Sequence, residues 1–265
     1  DADVYFRDEL KRSLPENFPL DSYVGLVETS IGKMVPIMKA EDLQDNILKV
    51  FAEPYNTLIV DRKGFKSEIP EIKGLQTQEN MKAWVDRKLF IHNLGHASAA
   101  YCGYYHYPES LYLYEVLDHK EIRQFVKETM MQSAQILLSL YPDEFTIVQL
   151  EEHIDDLIFR FRNKALGDTI FRVGSDLYRK FSSDDRLFSP FHAGFERGLP
   201  VDKIAETICY GLHFRAKDEH GEFFPDDAAF ISEMNEKGVE YILRNVSKTN
   251  EDEIELILNK SKLRT

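Results

Sequence analysis

The chain has 265 residues, 43% hydrophobic and 12% aromatic, which supplies a sizeable core and excludes wholesale disorder. Its 33 Lys and Arg stand against 46 Asp and Glu, a net charge of -13 that repels phosphate backbones, and no basic patch is visible that would admit nucleic acid as a partner. No apolar run approaches the roughly 20 residues of a membrane span, and the N-terminal DADVYFRDEL does not read as a signal peptide. Cys102 and Cys209 are too far apart in the chain to make a disulfide framework or a zinc cluster alone, so a reducing cytoplasm is the expected compartment.

Residues 5–13 read as a short amphipathic segment before a loop with Pro15 and Pro19. YVGLVETSIGKMVPIM at 23–38 sets two apolar stretches about a polar centre of Glu28, Thr29, Ser30, Gly32 and Lys33. It reads either as an extended segment passing a cleft or as a turn between two strands. The Val, Ile, Phe and Tyr of 48–62 predict one or two strands broken by Pro54, and the Gly and Pro of 63–75 predict a loop. From Gln78 the pattern turns helical, with a long run over 79–107 stopped by Pro108. Helices follow near 119–140, 145–163, 201–214, 226–245 and 251–262, each with apolar residues at three- and four-residue spacing. Between 164 and 200 the pattern loosens, and the closing LILNKSKLRT reads as a surface helix with a basic tail. No repeat, low-complexity stretch or Gly/Ser linker interrupts the chain. The expected fold is one mainly α, multi-helical domain over 1–265, with a minor β element near its N-terminus.

No GxGxxG turn, Walker loop, HExxH or CxxC is present. His92 and His96 have a spacing that can chelate zinc, but no third ligand motif accompanies them, so no metal site is expected. Lys88, Asn93 and His96 are more informative. At about 100° per residue, with Lys88 at zero, His96 falls near 80° and Asn93 near 140°, all within one arc of an otherwise apolar helix. Three polar groups on a buried face are costly unless partnered or functional. Spacing alone also allows a rim lysine in water, an asparagine bonded to a loop and a satisfied core histidine. Gly95, Ala99 and Gly103 form a second stripe that would admit a neighbouring backbone. Arg172, Arg179, Lys180 and Arg186 form a cationic cluster among glycines and serines. It can hold a phosphate or carboxylate through guanidinium forks, or be a solvated connector with ordinary ion pairs.

Five stretches in order, VGLVETSIGKMVP (24–36), TLIVDRKGFKSEIPEIKGL (57–75), RKLFIHNLGHASAAYCGY (87–104), RFRNKALGDTIFRVGSDLYRKFSSDDRLFSP (160–190) and ERGLPVDKIAETICYGLHF (196–214), resemble the polyol-specific long-chain dehydrogenases, in particular their mannitol-1-phosphate 5-dehydrogenase branch. That family's Lys-x4-Asn-x2-His signature stands intact as Lys88, Asn93 and His96. The resemblance implies a C-terminal substrate domain of an NAD-dependent, metal-independent enzyme that interconverts a hexitol phosphate and a ketose phosphate. It assigns Lys88 as general acid/base and Asn93 and His96 as the groups that bind and polarise the reacting oxygen. It also implies a Rossmann domain preceding residue 1, which would bind NAD. Cations for a substrate phosphate would come from Arg172 first, then Lys33, Arg179 and Arg186. One departure touches substrate choice: where the family has Val-Asp-Arg, this chain has Ile31-Gly32-Lys33, which removes a carboxylate near the expected pocket. Free mannitol 2-dehydrogenase and fructuronate or tagaturonate reductase are the alternatives within the superfamily, and a helical protein-binding module is the alternative outside it.

Overall fold

The three- and four-residue periodicity is realised as a mainly helical structure. The computed structural model describes residues 2–36, 38, 40–43 and 46–262. In chain order the first elements are α1 (Ala2–Ser13), α2 (Leu20–Tyr23), β1 (Thr29–Ile31), α3 (Ala40–Leu43), β2 (Leu58–Asp61), β3 (Leu75–Gln78) and α4 (Met81–Arg87). After a π turn over Lys88–Asn93 come α5 (Leu94–His106), α6 (Leu113–Asp118), α7 (Lys120–Leu140) and α8 (Ile147–Phe161). The chain ends through α9 (Ile170–Gly174), α10 (Leu177–Lys180), α11 (Phe188–Glu196), α12 (Asp202–Leu212), α13 (Asp227–Lys237), α14 (Val239–Asn245) and α15 (Glu251–Lys262). The basic tail at 263–265, and Ile37 of the 23–38 segment, lie outside the described residues.

The chain divides into two compact units, Asp1–Met34 with Ala52–Val85, and Val35–Phe51 with Asp86–Thr265. The first holds the sheet. β2 is its centre, antiparallel to β1 with Ser30 opposite Ile59, and parallel to β3 with Ile59 opposite Gln76. Ile59 and Val60 are buried, as expected of a strand flanked on both edges. Two expectations are corrected in and beside this sheet. Residues 48–54 form no strand, because their apolar side chains have no pleated surface to pack on and Ile47 and Leu48 stand 83% and 82% exposed. The segment 63–75, read as loop throughout, contributes its last residue to β3, which the polar LQTQ did not advertise.

The second unit is built around α5. Leu94, Ala97, Ala99, Ala100, Tyr101 and Cys102 are all buried, so this helix is covered on every side. The small-residue stripe makes that possible. A Cβ on Gly95 would meet Met130 of α7, and one on Gly103 would meet Val116 of α6, both closer than atoms can approach. Polar pins complete the arrangement: Ser98 Oγ lies 3.2 Å from Thr207 Oγ1 on α12, and Tyr101 Oη donates to Gly174 O of α9 at 2.9 Å.

Capping fixes the outer helices. Thr146 and Gln149 satisfy each other's backbone N–H groups at the start of α8, and Asn250 and Glu253 do the same for α15. The helix expected over 226–245 is broken at Gly238, whose φ of +89° lies in the region only glycine enters freely.

Candidate active site

The expected single helix over 79–107 is interrupted where its polar residues fall. Lys88–Asn93 form a π turn, and the Leu94 N–H reaches back five residues to Leu89 O. Straight α-helical arithmetic separates Lys88 from Asn93 by about 140°, but i→i+5 bonding stacks residue 93 over residue 88, one wide turn along. Single π turns recur at functional sites because they re-aim side chains without ending the helix. Here the turn gathers Lys88, His92 and Asn93 at the mouth of a helix whose remaining length is locked into the core.

The neighbourhood is electropositive. Lys88 is half-buried, and burial together with the Arg186 guanidinium lowers its amine below the ordinary lysine value. No carboxylate lies within ion-pair distance of that amine among the described residues. His92 is buried and held well below the usual histidine value, first by burial and then by His96, Arg160, His153 and Lys88. His153 is lowered to about 3 by burial and by Arg87 and Arg160. A proton placed here meets positive charge, so the neutral amine and the neutral imidazole are favoured.

His96 is held from two sides. Its ring stacks on Phe161 of α8 with centroids 4.7 Å apart and planes 13° from parallel. Its Nε2 lies 3.3 Å from Asp168 Oδ2, an ion-pair contact whose N–H direction falls outside hydrogen-bond alignment. Asp168 is only 6% exposed, and its other oxygen accepts from Arg172. Burial alone would raise the Asp168 carboxyl. The opposing pull of His96 and Arg172 wins and keeps it below the ordinary carboxylate value. Sequence reading missed Asp168 and Phe161. The available signal for Asp168 was its place four residues before Arg172, the i,i+4 spacing of a helical ion pair. Asn93 is half-buried, and its side-chain amide makes no hydrogen bond among the described residues, so it can serve a ligand.

The cationic cluster is more internally paired than its composition implies. Arg172 is bound to Asp168, and Arg179 to Asp176 and, at 3.2 Å, to Asp185. Arg186 Nε donates to Asp185 Oδ1 at 2.7 Å, and the guanidinium faces Lys88 closely enough to act on it. Lys180 is only 3% exposed, with its amine on the Ser175 carbonyl. Lys33 belongs to the first unit, where its amine donates to Asn56 Oδ1 at 2.6 Å. The second unit therefore brings together Lys88 with Arg186, and His96 with Arg172 through Asp168. Among the described residues, no group of three His, Cys, Asp or Glu side chains converges as metal ligands.

The sequence profile of the mannitol dehydrogenase C-terminal domain matches residues 80–262, and the chain belongs to that family. Two solved structures share the fold. A D-sorbitol dehydrogenase in substrate-free form aligns with a TM-score of 0.70 at 18% identity, over 92% of this chain and 54% of that one. Mannitol 2-dehydrogenase of Pseudomonas fluorescens, in a ternary complex with NAD and D-mannitol, aligns at 0.67 and 15% identity, over 92% of this chain and 52% of that one. The chain spans about half the length of these relatives. No described helix is long and apolar enough to cross a membrane.

Proposed function

We propose that this chain is the substrate-binding and catalytic part of an NAD-dependent dehydrogenase that interconverts a hexitol phosphate and a ketose phosphate, of the mannitol 1-phosphate and fructose 6-phosphate kind. The observation that carries the reading is Lys88: a half-buried amine, lowered by burial and by Arg186, on the π turn that also presents Asn93. NAD, when bound, accepts the hydride from the carbinol carbon. Among the described residues, no Gly-rich turn of the dinucleotide-binding kind leads from a strand of the sheet into a helix. NAD binding is assigned to a Rossmann domain preceding residue 1, and only the proton is followed here.

Oxidation of a secondary alcohol needs a base for the hydroxyl proton. The neutral Lys88 Nζ takes it, and burial, with the positive charge of Arg186, keeps that amine neutral at lower pH than a free lysine. Asn93 donates an amide N–H to the oxygen as it gains charge, and His96 fixes its place from the other side. No metal is assigned to the reaction. Arg172, Arg179 and Arg186 are assigned to the substrate phosphate, using guanidinium N–H groups left over from their aspartate partners. That pairing also favours a second reading, an unphosphorylated polyol or uronate, because Asp168, Asp176 and Asp185 already neutralise the three arginines. Cys102 and Cys209 are buried thiols, compatible with the cytoplasm. The test is NADH oxidation by the intact protein over fructose 6-phosphate, fructose and fructuronate. Preference for fructose 6-phosphate supports the first reading, preference for fructose or fructuronate the second, and no turnover of any refutes both.

A further inference from the structure

Asp168 divides its two oxygens between two groups that the reading above places at the substrate. Oδ2 faces His96 Nε2 at 3.3 Å, and Oδ1 holds Arg172. The carboxylate is 6% exposed, so neither contact is a rim ion pair diluted by water. It is itself fixed by the backbone, since Asp168 O accepts from Leu113 N at 2.9 Å and the next residue, Thr169, caps α9 through its hydroxyl. An ionised carboxylate only accepts hydrogen bonds. A lone pair on Nε2 would face negative charge and an N–H there faces it favourably, so the carboxylate favours the hydrogen on Nε2 even without hydrogen-bond alignment and leaves Nδ1 as the acceptor nitrogen of the ring. Phe161, stacked at 4.7 Å, removes the remaining freedom of rotation about the ring plane.

We infer that Asp168 is a positioning residue that holds His96 as the Nε2–H tautomer, leaves Nδ1 as an acceptor for a substrate hydroxyl, and ties that orientation to the guanidinium of Arg172. The inference rests on the assignment of His96 to the substrate. A residue that only filled space, or only paired Arg172, would leave the protonation of the His96 ring indifferent to its charge. Asp168 instead sets which nitrogen carries the hydrogen, as a carboxylate behind a catalytic histidine does in other enzymes.

The experiment is nitrogen-15 NMR of the His96 ring in the intact protein, with kinetics of Asp168→Asn, Asp168→Glu, His96→Ala and the Asp168→Asn/His96→Ala double variant. The expected result is Nε2–H in the parent and a shift toward Nδ1–H in Asp168→Asn, whose amide can donate to Nε2. The accompanying loss should be about 100-fold in kcat, the scale of an ångström's misplacement, with KM little changed. Asp168→Glu should keep Nε2–H and recover part of kcat. The double variant should lose no more than His96→Ala alone. A parent already in the Nδ1–H form, an unmoved tautomer in Asp168→Asn, or additive losses in the double variant would each overturn the inference. The parent measurement requires no variant to fold. A protein inert toward every polyol would refute the proposed function, while the ring-nitrogen measurement, which needs no substrate, would still decide Asp168.

Discussion

Replacing Lys180 with Met should change how stability depends on pH. Lys180 is 3% exposed and its amine donates to the Ser175 carbonyl. Burial, with Arg186 and Arg179 adding to it against Asp176 and Asp227, lowers its pKa to about 7. In the unfolded chain it returns to about 10.4. Between those values the unfolded chain binds one more proton than the folded chain, so stability rises with pH at about 1.4 kcal/mol per unit. From pH 7 to 9 the wild-type protein should gain about 2–3 kcal/mol from this residue alone. Lys180→Met has nothing to titrate there, fills similar volume, and loses only the carbonyl partner, a cost of about 1–3 kcal/mol that does not vary with pH. Urea unfolding of both proteins at pH 6, 7, 8 and 9 gives the difference, in which every other titrating group cancels. The variant's relative stability should fall steadily above pH 7. A flat difference from pH 6 to 9 would show that the amine stays charged in its pocket, and the argument from burial would be wrong.

Lys88→Ala in the intact protein should lower kcat by about 10²–10⁴-fold, the usual contribution of a general base, and should remove the rise of the oxidation rate with pH that a lysine lowered by burial and Arg186 produces. If His96→Ala removes that dependence while Lys88→Ala keeps it, histidine is the base. Phe161→Ala removes a buried ring from under His96 and should cost about 3–5 kcal/mol in denaturant unfolding; a loss below about 1 kcal/mol would mean the ring is not a support. The 265 residues alone should fold but not turn over substrate, which spectrophotometry with added NAD and mannitol 1-phosphate can check, and activity equal to that of the intact protein would refute it.

The helical skeleton was legible because its signals are local. The helix at 251–262 was placed to the residue from its apolar three- and four-residue spacing, and Asn250 and Glu253 cap its start. The break at Gly238 was missed because glycine inside a helical pattern is often tolerated, and only its positive φ makes it a terminator. The strands were harder. Residues 48–54 have strand composition but no partner, whereas β3 has a partner and a polar sequence; pairing is a tertiary fact. At the site, residue identities were readable and their register was not. Lys88, Asn93 and His96 stand in the sequence, but the i→i+5 bonds that stack two of them depend on how α5 is gripped by its neighbours. The pairing of Asp168 with His96 was not legible for a similar reason, because 72 residues of chain separate them.

The π turn amounts to one residue more than an α-helix would need between Lys88 and Leu94. Such a surplus residue makes this helix an adjustable joint. Removing Leu89 would let the ladder close to ordinary i→i+4 bonding and rotate Lys88 by roughly 100° about the axis. α5 could not follow that rotation, because Met130 and Val116 press directly against Gly95 and Gly103. A single deletion would thus swing Lys88 away from Asn93 and His96, and with it α4, whose Met81 and Ala83 are buried, so that one surplus residue sets the register between two packed helices.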